Sequence, residues 1–183
     1  MAWLLAGKRP GCQHRARVRP ARVSGMNVIF VCMGNICRSP TAESIFRRHA
    51  TLAGLQQKLL IDSAGIGDWH AGEPPDNRAI THARRRGYDL GPLRARQVTL
   101  DDFKRFHWIF AMDLHNLRDL KALRPPDFSG HLGLFLDLVP GIGRREVPDP
   151  YFGGPDGFET VLDLIERASE ALLARIAALH ELR

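Results

Sequence analysis

Cysteine is scarce in this 183-residue chain: Cys12, Cys32 and Cys37 are the three present. Three thiols do not make a disulfide framework, so the composition points to a reducing, cytoplasmic setting. No apolar run is long enough to span a membrane. Acid is missing from residues 1–25, which carry Lys8, Arg9, Arg15, Arg17, Arg19 and Arg22; without these six, the remaining 20 Lys and Arg are balanced by 20 Asp and Glu. The formal charge of +6 therefore belongs to the extension and gives no reason to expect a nucleic-acid partner for the rest. Trp3-Leu4-Leu5-Ala6 is too short for a signal-peptide core and precedes the charges instead of following them. The Arg-rich, acid-free leader has something of a transit peptide, but the expectation is a disordered or misassigned basic extension over 1–25, followed by one domain over 26–183. The eight histidines are scattered, with no ligand spacing of a metal site, and no metal or cofactor is expected.

What is present is organised around Val28 to Pro40, VIFVCMGNICRSP. A β-branched apolar run reads as a buried strand and ends on Cys32. Arg38, Ser39 and Pro40 follow, and Pro is a helix-start signal, so a helix is expected over Thr41 to Ala53. Strand, tight loop and helix together aim backbone N–H groups and the positive end of a helix dipole at the loop, which suits a phosphoryl dianion. Arg38 can add a planar bidentate fork. The same field favours thiolate over thiol at Cys32. The loop lacks the Lys-Ser/Thr ending of a nucleotide-binding loop, which argues against nucleotide hydrolysis.

Downstream, Lys58 to Ser63 reads as a second strand, His107 to Met112 as a third and His131 to Leu136 as a fourth. Helices are expected from Asp76, as cap, to Arg86, after a Thr99-Leu-Asp-Asp cap, over Asp113 to Leu123, and from Phe158 to about Leu182. Alternating strands and helices imply an α/β domain with a parallel sheet covered on both faces and its ligand beyond the strand ends.

At these residues the sequence resembles the low-molecular-weight protein tyrosine phosphatases. A second family motif, Asp149-Pro150-Tyr151 followed by Phe152, stands near the far end. The resemblance implies strand order 2-1-3-4, a phosphate loop of Met33, Gly34, Asn35, Ile36, Cys37 and Ser39 after the first strand, and hydrolysis of phosphotyrosine through a phosphocysteine on Cys32. Arg38 would hold the phosphate and Asp149 would be the general acid. It also implies support of the loop by Asn35, Ser39 and Ser63, and a substrate rim of Trp69, Tyr151 and Phe152. Ser39 also suits a helix N-cap, and Asp113 suits an N-cap better than a second acid. The expected partners are phosphotyrosine proteins, with neither nucleic acid nor membrane, for a monomer.

Other functions fit the same scaffold. Thiol-coupled arsenate reductase needs a further cysteine pair, and none follows Cys37. A protein arginine phosphatase carries threonine at the position of Ile36. A non-catalytic phosphotyrosine-binding module has no need of Cys32, Arg38 and Asp149 together. Leu93 departs from the family pattern, which places a histidine there against the Asn/Ser network, so a less firmly held loop is expected.

Overall fold

The protein is described by a computed structural model covering residues 26–151 and 156–181. Four strands, β1 (Val28–Cys32), β2 (Ile61–Gly65), β3 (Trp108–Ala111) and β4 (His131–Leu134), form one parallel sheet in the order β2-β1-β3-β4. The helices are α1 (Arg38–Leu52), α2 (Asn77–Arg85), α3 (Asp102–Arg105), α4 (Leu114–Leu123) and α5 (Gly157–Glu181), with a 3-10 turn at Phe135–Leu138. The parallel sense is that expected from the alternation of strands and helices, and the strand order is that implied by the resemblance.

The central strand explains the layering. β1 is buried along its whole length, so both of its faces must be covered. Its alternation sends Val28, Phe30 and Cys32 into one core with Phe46 of α1 and Ile165 of α5. Ile29 and Val31 point into the other, with Phe103 of α3 and Leu117 of α4. Phe30 packs against Phe46, Phe110 and Phe135 at ring-centroid distances of 5.8, 6.2 and 4.9 Å. Truncating such a ring to alanine costs about 3–5 kcal/mol. Cys32 is the last residue of β1 and pairs with Gly65, the last of β2, so the loop that follows opens at the carboxyl edge of the sheet.

Several boundaries differ from the periodicity. α1 starts at Arg38 and not after Pro40, which becomes its third residue. Proline is tolerated there because the first N–H groups of a helix have no intrahelical acceptor. Ser39 is accordingly inside the helix, and Cys37 is the N-cap, without a side-chain cap bond. β2 covers Ile61–Gly65 and not Lys58 to Ser63, because pairing with β1 begins at Val28–Ile61. β3 is trimmed to Trp108–Ala111, and β4 ends at Leu134, where the chain tightens into the 3-10 turn. Asp76 caps α2 as expected, accepting from Arg78 N. At α3 the carboxylate of Asp102 reaches back to Thr99 N at 2.8 Å, in place of a threonine cap. Residues 1–25 and Phe152 lie outside the described residues. Among the described residues no helix is long and apolar enough to cross a membrane.

Candidate active site

Cys32, Met33, Gly34, Ile36, Cys37 and Arg38 form the floor of a pocket of about 360 Å³, walled by Trp69, His70, Asp149 and Tyr151. The loop is held by its own backbone and by the β2–α2 connection. Asn35 adopts φ 56°, the left-handed conformation that asparagine tolerates best among non-glycine residues. Its N–H donates to Cys32 Sγ at 3.3 Å. Ile66 N donates to Cys32 O at 2.9 Å and Gly67 N to Met33 O at 3.0 Å. A side chain at Gly65 would stand 3.0 Å from both Met33 O and Gly67 O, so this close approach requires glycine.

Arg38 is buried, yet both terminal nitrogens of its guanidinium have acceptors. Nη1 donates to Asp113 Oδ2 at 2.5 Å and to Val147 O at 3.3 Å, while Nη2 donates to Asp149 Oδ2 at 2.8 Å. Burial works against the charge, but Cys32, Asp149 and Asp113 outweigh it and raise the affinity of the guanidinium for its proton. Asp113 does cap α4, accepting from Asn116 N at 2.7 Å, and it orients Arg38 as well. Asp149 stays partly exposed at the pocket mouth and accepts from Tyr151 N at 3.0 Å.

Behind the loop, Ser39 Oγ is 3.0 Å from Cys32 Sγ. Asn35 Nδ2 donates to Ser39 Oγ and to Ser63 Oγ, each at 2.9 Å. Asn35 Oδ1 accepts from Arg96 N at 2.9 Å. Asn35 is thus both the left-handed turn residue and the hub of the polar network. Leu93 packs against the main core, and the network ends on the Arg96 N–H and on Glu43 instead of a histidine.

The rim is built from two sides. Trp69 is 60% exposed, and its ring lies over Gly67, where a Cβ would fall 1.7 Å from it. Tyr151 is fixed through Arg78, whose guanidinium sits 5.2 Å from that ring and 5.1 Å from Phe158 and is itself clasped by Asp76. Sequence pattern singled out neither His70, whose Nδ1 is 2.6 Å from Glu73 Oε2, nor the buried Glu43. His70 follows Trp69 directly, and that adjacency was the available signal. Burial pushes the Cys37 thiol strongly up, helped by Asp76, which keeps it protonated beside the loop. Among the described residues no group of three or more His, Cys, Asp or Glu side chains is placed to hold a metal ion.

A cysteine at the end of a central parallel strand, followed by a tight turn and an arginine at the head of the next helix, defines a class of α/β proteins with a cysteine loop at the carboxyl edge of the sheet. Within that class the family profile described as low molecular weight phosphotyrosine protein phosphatase matches residues 27–181, and the chain belongs to that family. It is 44% identical over 151 residues to the low molecular weight protein-tyrosine-phosphatase YfkJ of Bacillus subtilis, covering 82% of this chain and 96% of that one. The crystal structure of YfkJ superposes with a TM-score of 0.80 over 86% of this chain and 98% of that one. The protein tyrosine phosphatase of Entamoeba histolytica is similar at 38% identity and TM-score 0.80, covering 84% and 98%. A Drosophila arginine phosphatase is similar at 33% identity and TM-score 0.75, covering 82% and 98%.

Proposed function

We propose that the protein hydrolyses phosphotyrosine in proteins, and small aryl phosphates, through a phosphocysteine on Cys32. The observation that carries this is the convergence of Cys32, Arg38 and Asp149 on one pocket with an aromatic rim. The Cys32 thiolate attacks phosphorus and the P–O bond to tyrosine breaks. Asp149 delivers a proton to the departing phenolic oxygen. Arg38 and the loop N–H groups balance the charge on the equatorial oxygens, which is the main requirement of phosphoryl transfer. Water then attacks the phosphocysteine, Asp149 takes its proton, the P–S bond breaks and inorganic phosphate leaves. The Ser39 hydroxyl, donating to sulfur, eases departure of the thiolate. Trp69 and Tyr151 flank the phenyl ring of the substrate, and a short phosphoserine side chain falls below them. The protein acts as a monomer in the cytoplasm and needs no metal.

The test is phosphate release from an aryl phosphate in excess EDTA. Activity is expected in the wild type and lost in Cys32→Ser and Arg38→Ala, with Cys32→Ser still binding vanadate. Metal-dependent turnover, or near-normal turnover of Cys32→Ser, overturns the assignment.

A further inference from the structure

Among the described residues the buried carboxylates are Asp102 and Glu43. Asp102 is accounted for by Thr99 and Arg96. Glu43 has no part in the reaction described above, yet it lies at the far end of the hydrogen-bond chain that begins on the nucleophile. It sits on α1, 4% exposed. Its Oε2 accepts from Ser63 Oγ at 2.7 Å, and its Oε1 is paired with Arg47 Nη2, which also donates to Ile61 O at 2.8 Å.

Counting donors fixes the direction of every bond in the chain but the last. An ionised carboxylate only accepts, so the single Ser63 proton is committed to Glu43. Ser63 Oγ then faces Asn35 only as an acceptor, so the Asn35 amide must turn its NH₂ toward it. At the opposite side, Arg96 N–H only donates, and it requires Asn35 Oδ1. The second N–H of Asn35 occupies a lone pair of Ser39 Oγ. The one Ser39 proton is left to choose between Cys32 Sγ at 3.0 Å and Ala64 O at 3.2 Å, and a thiolate is the stronger attraction.

We propose that Glu43 is a positioning residue whose carboxylate, paired with Arg47, sets in its ionised form the polarity of the Ser63–Asn35–Ser39 chain so that it ends with a proton directed at the Cys32 sulfur. The proposal deepens the phosphocysteine chemistry above and rests on it for its catalytic consequence. Replacing Glu43 by glutamine preserves shape and reverses one bond. Arg47 keeps the amide oxygen, so the amide N–H₂ faces Ser63 Oγ, which already receives Asn35 Nδ2. The Ser63 proton then has no acceptor unless Asn35 turns over, which would set its NH₂ against Arg96 N–H. Both outcomes weaken the chain that leads to sulfur.

The experiment measures the pH dependence of Cys32 alkylation by iodoacetate, with phosphate as protectant, in the intact chain. Glu43→Gln is expected to move the half-maximal pH upward by about half to one unit, or roughly three- to tenfold less thiolate on the acid side. It should also lower kcat more than it changes KM. Arg47→Met, whose side chain is half exposed, is expected to shift the profile in the same direction by less. In a Ser63→Ala background, where the chain is cut, Glu43→Gln should add nothing further. A Glu43→Gln profile that superimposes on wild type overturns the proposal, as do additive effects of Glu43→Gln and Ser63→Ala. If Glu43→Gln does not fold, an unmoved Arg47→Met profile overturns it equally. Alkylation reads the thiolate without turnover, so a shifted profile in a protein that hydrolyses no phosphotyrosine would sink the enzymatic assignment and leave the chain polarity standing.

Discussion

The two carboxylate oxygens of Asp113 serve separate elements: Oδ1 caps α4 through Asn116 N at 2.7 Å, and Oδ2 holds Arg38 Nη1 at 2.5 Å. One residue therefore couples the first turn of a helix behind β3 to the orientation of the Arg38 guanidinium. Asp113→Ala should lose the cap, worth about 1 kcal/mol, or roughly 2–4 °C in Tm for a chain of this size, and should also lower kcat/KM. Asp113→Asn keeps a good capping group but no charge, so Tm should be retained while kcat/KM still falls. Equal Tm losses in the two variants would show that the charge, and not the cap, carries the stability.

Arg38 Nη2 is held by the Asp149 carboxylate at 2.8 Å, and a phosphoryl oxygen drawn to that donor would have to compete with it. Asp149→Ala should therefore bind inorganic phosphate or vanadate at least as tightly as wild type. Its kcat should still drop roughly 10²–10⁴-fold for phenolic leaving groups of high pKa. With p-nitrophenyl phosphate the drop should be smaller, because that leaving group departs without a proton. Inhibition constants and a leaving-group series measure the two effects, and uniform losses across the series would remove Asp149 as the acid.

Ile36 presents an apolar, β-branched face to the pocket floor. It suits a phenyl ring and offers a guanidinium no acceptor. Leaving such a donor unsatisfied in a desolvated site costs about 1–3 kcal/mol, so phosphotyrosine peptides should be preferred to phosphoarginine peptides by roughly ten- to a hundredfold in kcat/KM. Ile36→Thr should narrow that ratio. Wild-type preference for phosphoarginine would reverse the substrate assignment.

Cys37 shares the loop with Cys32, but burial holds its thiol strongly protonated. Peroxide should oxidise the Cys32 thiolate to a sulfenic acid, whose condensation with the Cys37 thiol would form a disulfide and release water. Because the attacking form is the thiolate, protection should be slow at neutral pH and faster as pH rises. After peroxide, dithiothreitol should restore wild type more fully than Cys37→Ser, with the gap widening in alkaline buffer. Equal recovery at every pH would deny Cys37 a protective role.

Glu43 has its carboxyl raised by burial, only partly offset by Ser63 and Arg47. A folded-state value above the unfolded one means that the protonated form binds better in the native protein. Its contribution to stability is therefore complete below the unfolded value, about 4.5 for Glu, and is lost as pH rises through the folded one. In Tm measured from pH 4 to 8, wild type should fall relative to Glu43→Gln across that window, and the variant should be as stable or more so at pH 7. A variant that is no less stable yet poorer in thiolate chemistry separates positioning from simple support of the fold.

By itself the sequence determined what is local or periodic. The buried run of β1, the cysteine at its end, the arginine six residues beyond Cys32 and the Asp76 and Asp113 caps all depend on neighbours within a few positions, where side-chain chemistry acts directly on the backbone. The relation of Asp149 to that loop was legible only because the pattern resembled a known family. Tertiary structure alone decided which face of α1 meets β2, and hence that Glu43 ends the chain from Cys32 by way of Ser63. It also brought His70 to the pocket wall and gave Asp113 its second partner 75 residues away. Helical periodicity marks Glu43 as a polar residue on an amphipathic helix, for which the default is a solvated face. The arginine one turn further along is local to the helix; what reverses that default is a serine contributed by a separate strand, a pairing that exists only once α1 has packed against β2.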